Sequence, residues 1–215
     1  MLSWYPEFLE YLEAGRRDKC IELALGRLET GDVGIATLYD EVLRASMDED
    51  FCAGDTPDVC IWKEHVRTSI IRTVVECCYP YVIRERYKSG RHALGEVLVF
   101  CPPEEWHDLG ARMAADFFTL AGFQTTYAGA NTPRETILGA VRHIRPAYIA
   151  VSITSPFNLV AARKVTDMIK KLRDEFAFTL IVGGQACRDN TAVCCTMNAD
   201  LVLDSSEDIL RLGDR

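Results

Sequence analysis

Basic-charge blocks, membrane-length apolar runs and metal-type cysteine pairs are all missing from this chain, and each absence excludes a class of function. No block of about five or six consecutive Lys or Arg occurs, and 24 basic residues face 32 acidic ones for a net charge of −8. A surface that tracks nucleic-acid phosphates is therefore not expected. No apolar run approaches the ~18 residues of a membrane span, and Met1 to Pro6 lacks the basic-then-apolar order of a secretory leader. The expectation is a cytoplasmic protein with no membrane partner. Glycine and proline are scarce, 14 and 8 in 215 residues, and 48% of residues are apolar; collagen-like repeats and disorder are excluded. None of the nine cysteines makes a C-x-x-C pair, and Cys77 and Cys78, like Cys194 and Cys195, are adjacent. Reduced thiols are expected, with Cys20, Cys60, Cys77 and Cys101 packing as small hydrophobes.

What is present divides into two patterns. From Trp4 to about Lys88 apolar residues recur at helical spacing: Phe8, Leu9, Leu12; then Ile21, Ala24, Leu25, Leu28; then Ile35, Leu38, Tyr39, Val42, Leu43. The stretch Met47 to Asp58, with Gly54 and Pro57, interrupts it, and a fourth helix from about Val59 runs through Ile70 and Val74 with a kink expected near Pro80. Past Lys88-Ser89-Gly90, short β-branched runs alternate with amphipathic helices. Strands are expected at Val97–Phe100, Phe123–Tyr127, Tyr148–Ser152, Phe178–Val182 and Leu201–Leu203. Helices are expected at Asp108–Ala121, Pro133–His143, Asn158–Phe176, Thr191–Met197 and Ser206–Leu212. The fold class is α/β: a helical cap bundle of four helices over residues 1–90, then a flavodoxin-like, doubly wound parallel five-stranded sheet over 91–215. Ligands of such sheets sit beyond the carboxyl ends of the strands.

Beyond the first strand comes Glu105-Trp106-His107-Asp108-Leu109-Gly110. Alone, a histidine at a strand end reads equally as a helix cap or a surface residue. Two further motifs follow at strand ends: 41 residues separate Gly110 from Ser152-Ile153-Thr154, and 28 separate Thr154 from Gly183-Gly184. Together they resemble the D-x-H-x-x-G, S-x-T or S-x-L, and G-G signature of cobalamin-binding domains, as in methionine synthase, mutases, corrinoid methyl carriers and cobalamin-based light sensors. The helical half resembles the cap of the carriers and sensors. Glu105 stands where most of these families have Asp, a variant that resembles the sensor branch.

The resemblance implies a cobalamin, adenosyl- or methyl-, bound with its own lower base displaced. His107 then supplies an imidazole nitrogen to cobalt and Glu105 accepts from the other ring nitrogen, directly or through water. Asp108 and Gly110 belong to the same loop, and Ser152 and Thr154 offer hydroxyls to the displaced tail. Gly183 and Gly184 would leave a slot for that tail, so a bulky residue at 183 is expected to block insertion with the fold intact. On the fourth helix Trp62, Glu64 and His65 are expected over the upper face. The sensors place a Trp before their Glu-His pair at a position that is Gly54 here, which points to a wall rebuilt by Phe51.

Two functions stay open on this reading: a stand-alone light- or redox-responsive regulator, and the corrinoid subunit that carries methyl groups in a methyltransferase system. A heme or other tetrapyrrole sensor on the same fold is a third. No independent substrate site is evident, so catalysis by this chain alone is not expected. The partners implied are the corrinoid and a separate output or methyltransferase protein, with self-association open.

Overall fold

The helices form where apolar spacing and end chemistry coincide, as a computed structural model describing residues 2–48, 52–90 and 92–214 shows. α1 (Tyr5–Glu13) opens on Pro6 and Glu7; a residue without an N–H and a negative charge both suit a helix N-terminus. α2 (Arg17–Thr30) follows. The next helix changes pitch twice without breaking: α3 (Ile35–Thr37) passes into a π-helical stretch, Leu38–Arg44, and then into α4 (Ala45–Asp48). α5 (Pro57–Ser89) continues through Pro80 rather than ending there. Phe8, Leu12, Ala24, Ile35, Leu38, Tyr39, Ile71 and Val74 are buried in this helical unit, which extends to Lys88.

The second unit begins at Ser89. Its strands are β1 (Glu96–Phe100), β2 (Gln124–Gly129), β3 (Tyr148–Ser152), β4 (Thr179–Gly183) and β5 (Leu201–Leu203), all parallel in the order β2-β1-β3-β4-β5. The helices are α6 (Leu109–Ala121), α7 (Arg134–Ile144), α8 (Leu159–Lys170), α9 (Gln185–Asp189), α10 (Thr191–Cys195) and α11 (Ser206–Leu212). The inner strands are apolar almost throughout because helices cover both faces. Leu98, Phe100, Ile149, Val151, Leu180 and Val182 pack with Ile137, Val141, Val165 and Ile169 of α7 and α8. The alternate residues Val97 and Val99 are also buried, and α6 packs on β1, β2 and α11. The chain leaves β1 for β2 on one side, while β3 lies on the other. The ends of β1 and β3 therefore flank a topological switch point, the place where sheets of this kind bind ligands.

Some expectations need correction. Helix α9, directly after Gly184, was not expected, and Phe123 precedes β2 instead of joining it, packing edge-on to Phe118 and Tyr148 at 5.8 and 5.0 Å. The expected helix to Phe176 ends as an α-helix at Lys170 and tightens to a 3-10 turn over Lys171–Asp174. The cysteines are not all reduced. Cys52 pairs with Cys60 and Cys187 with Cys194, with Cα atoms 5.3 and 5.5 Å apart, a separation that a disulfide spans. The second pair links α9 to α10, an arrangement made by a helix that sequence spacing did not disclose.

The reason for the two glycines also changes. A Cβ at Gly183 would lie 2.7 Å from Leu203 O, and one at Gly184, where φ is +102°, would lie 2.4 Å from Ile153 O. Ile153 crosses this turn, donating its N–H to Gly183 O and accepting from the N–H of Ala186. The space beside each glycine is taken by the chain's own backbone, so a bulky residue at 183 does not leave the fold intact. Gly184→Ala is expected to cost about 3 kcal/mol. In contrast Gly26→Ala, in α2 with nothing within 4 Å of its Cβ position, is expected to stabilise by roughly 0.5 kcal/mol. Urea unfolding of the two variants checks the contrast.

Candidate functional site

After β1 the chain is pinned into a turn by its neighbours. Glu104 holds a left-handed conformation at φ +71°; its N–H donates to Asn131 Oδ1 at 2.8 Å and its carbonyl accepts from Asn158 Nδ2 at 3.2 Å. Asn131 N–H donates in turn to Glu105 O at 2.8 Å. These bonds push the next side chain inward, and Glu105 is 0% exposed. An unpartnered carboxylate could not remain ionised there. This one has four donors: Oε1 accepts from His107 N at 3.0 Å and from His107 Nδ1 at 2.8 Å, and Oε2 accepts from the N–H groups of Thr154 and Ser155 at 3.0 and 2.8 Å.

Burial pushes the Glu105 carboxyl up, but the Ser155 N–H, the Asn158 side chain and the two His107 nitrogens together hold it below its ordinary value of 4.5. A carboxylate without a proton can only accept, so in the neutral ring His107 Nδ1 carries the hydrogen and Nε2 has the lone pair. The His107 side chain is 62% exposed, and among the described residues Nε2 has no hydrogen-bond partner. The contact from Glu105 is direct, its extra methylene taken up within the buried turn.

The remaining expected residues divide. Thr154 belongs to the cluster, although its Oγ1 is occupied, donating to His107 O at 3.1 Å. Asp108, at the N-cap position of α6, accepts from Tyr127 OH at 2.8 Å and so ties the histidine loop to β2. Ser152 ends β3, half-buried and in register with Gly183. Gly110 is exposed, and a Cβ there would meet nothing within 4 Å. Glycine weakens a helix by roughly 0.5–1 kcal/mol, and no neighbour within the chain requires it at this position. Trp62, Glu64 and His65 lie on α5 in the helical unit. Trp62 is 62% exposed, and Glu64 Oε2 stands 3.8 Å from His65 Nδ1 in a loose, exposed pair. Phe51 lies outside the described residues. Sequence reasoning missed Ser155, Asn131, Asn158 and Tyr127; backbone donors and loop asparagines carry no signal until the two loops are brought together.

Among the described residues no three His, Cys, Asp or Glu side chains gather as a metal site. The sequence pattern of the B12 binding domain matches residues 95–211, more than half of the chain. The chain belongs to the B12 binding domain family. It is similar to the HTH-type transcriptional repressor CarH of Myxococcus xanthus, 28% identical over 174 residues, covering 74% of this chain and 55% of the repressor. It is also similar to the trimethylamine corrinoid protein 1 of Methanosarcina acetivorans, 24% identical over 126 residues, covering 59% of this chain and 57% of that protein. The chain spans about half the length of the curated relatives it matches. The fold follows that of the Methanosarcina barkeri monomethylamine corrinoid protein with a TM-score of 0.74 at 15% identity, covering 96% of this chain and 94% of that one.

The residues present in this B12-binding unit fit a corrinoid: one imidazole of fixed tautomer, an exposed nitrogen, and a helix start kept bare by Gly110. Because the Glu105 carboxyl is held below 4.5 in the folded chain, its stabilising contribution is complete above that value. It is lost as pH falls from there through the lower folded value. Glu105→Gln, which also turns an amide N–H toward donors, is expected to be less stable than the natural protein above pH 5, with the gap closing in acid. Urea unfolding across pH 3 to 7 checks this; a gap independent of pH contradicts it.

Proposed function

We propose that this chain holds a corrinoid with its lower base displaced, His107 Nε2 being the lower axial ligand to cobalt, and that it works as a light- or redox-responsive regulator rather than as an enzyme. The observation that carries the ligation is the 2.8 Å contact between the buried Glu105 carboxylate and His107 Nδ1. It directs Nδ1 of the neutral ring to the carboxylate and leaves Nε2 as the nitrogen available to a metal. Gly110 keeps the start of α6 low enough for a wide ring to approach. Ser152 and the Gly183-Gly184 turn, at the carboxyl ends of β3 and β4, are assigned to the displaced tail.

A bound corrinoid supplies a cobalt–carbon bond that light or a change of oxidation state can break. Trp62, Glu64 and His65 are assigned to the upper ligand, as in the sensors this chain resembles. The regulator reading draws on Glu105 in the motif and on the repressor from Myxococcus, which matches more of the chain than the trimethylamine corrinoid protein does. With a net charge of −8, the output partner is a protein rather than nucleic acid bound directly. A second reading, a methyl carrier serving a methyltransferase, draws on the trimethylamine corrinoid relative.

Two measurements test this. The cobalt(II) form made with 15N-labelled protein is expected to show its axial nitrogen splitting as a doublet instead of a triplet, and His107→Ala is expected to lose it. A triplet unchanged by labelling places the cofactor's own base on cobalt and overturns the ligation. Illumination of the adenosyl-loaded protein is expected to change both its absorption and its oligomeric state. A spectrum indifferent to light, with methyl exchange to a partner methyltransferase, selects the carrier.

A further inference from the structure

The sheet unit buries its phenylalanines well: Phe100, Phe117, Phe118 and Phe123 are each at most 3% exposed. Against that background Trp106 is 67% exposed, Phe157 92% and Val160 67%. Among the described residues of this unit, these are three of the four large hydrophobic side chains left in water, the fourth being Val193. Single exposed hydrophobics are ordinary, but a group of them gathered at one place marks a contact surface.

Their place is defined by hydrogen bonds. Trp106 sits between Glu105 and His107, and both of those residues are bonded to the loop after β3, through Thr154 and Ser155. Phe157 sits between Ser155 and Asn158, which are bonded back to Glu105 and Glu104. Val160 follows three residues after Phe157 in the first turn of α8. The two exposed aromatic residues thus belong to two loops that a single buried carboxylate joins, the same carboxylate that binds the imidazole of His107. Both loops are rigid where they are joined, so their side chains are presented to solvent without being loosely held.

We infer that Trp106, Phe157 and Val160 form an apolar seat for the underside of the corrin ring around His107, a binding role distinct from metal ligation and from holding the tail. The inference rests on the proposed corrinoid reading and adds which side chains support the ring. The occupant is argued from what stands in the middle of the seat. A metallated macrocycle covers apolar side chains and takes the Nε2 lone pair at once, whereas a protein partner would have to place a donor at that one point within an apolar contact. The seat acts on the ring, so it serves corrinoids with and without a nucleotide tail alike.

The test compares cobalamin with cobinamide, which has the ring but lacks the tail base. All three side chains are exposed, so Trp106→Ala and Phe157→Ala are expected to leave unfolding midpoints unchanged. Each is expected to weaken binding of both ligands roughly ten-fold, as removal of a large apolar contact does, and Trp106→Phe is expected to restore most of the loss. Undiminished affinity for both ligands in the double variant overturns the seat. Loss for cobalamin alone also overturns it, because it assigns the residues to the tail. If the double variant binds both ligands normally but a ligand-free oligomer of the natural protein dissociates, the surface covers a second copy of the chain and the seat is again wrong. Should the natural protein itself bind neither ligand, the corrinoid reading fails first, an outcome distinct from failure of the seat alone.

Discussion

A carboxylate removed from water must be surrounded by donors, and the Glu105 carboxylate meets that need with groups from two loops. Two are backbone N–H groups at the end of β3, and two are nitrogens of His107. The anion therefore does two things at once. It joins the loops that follow β1 and β3, and it sets which nitrogen of the neutral imidazole is bare. Neither loop could fold this way by itself, because each would leave a charge or a pair of amides unsatisfied. The β2-β1-β3 order of the sheet brings their ends together, so the fold and the chemistry of the site share one cause.

The glycines show how one residue type serves opposite demands within a single site. At Gly183 and Gly184 the chain has no room for a side chain, because Leu203 and Ile153 press their backbones against those positions. At Gly110 there is room and nothing fills it. The first two hold the strand ends together, and the third keeps a surface bare. A sequence motif lists all three together, although the chain's own backbone demands glycine only at the first two.

Much of this architecture was legible in the residues. Short apolar runs such as Val97–Phe100 and Phe178–Val182, alternating with amphipathic helices, read as parallel strands, and Glu105 and His107 pointed to the site once the Ser152-Ile153-Thr154 and Gly183-Gly184 motifs were set beside them. What stayed hidden depended on long-range geometry. Ser155 acts through its backbone N–H, Asn158 acts across 54 residues of chain on Glu104, and Cys187 meets Cys194 because α9, which carries it, is followed at once by α10. Trp106 and Phe157 read as ordinary apolar residues until their exposure is known. Hydrophobic patterning therefore disclosed the layers, while hydrogen bonds between loops decided how the site is built.

The central claim is that the buried carboxylate holds His107 in a single tautomer, ready to bind metal before any ligand arrives. Nitrogen NMR of the 15N-histidine-labelled, ligand-free protein reads this directly once the resonances of its four histidines are assigned. The account predicts that the neutral imidazole of His107 carries its hydrogen on Nδ1 and has Nε2 bare. A proton on Nε2 with Nδ1 bare, or shifts averaged between the two tautomers, would contradict it.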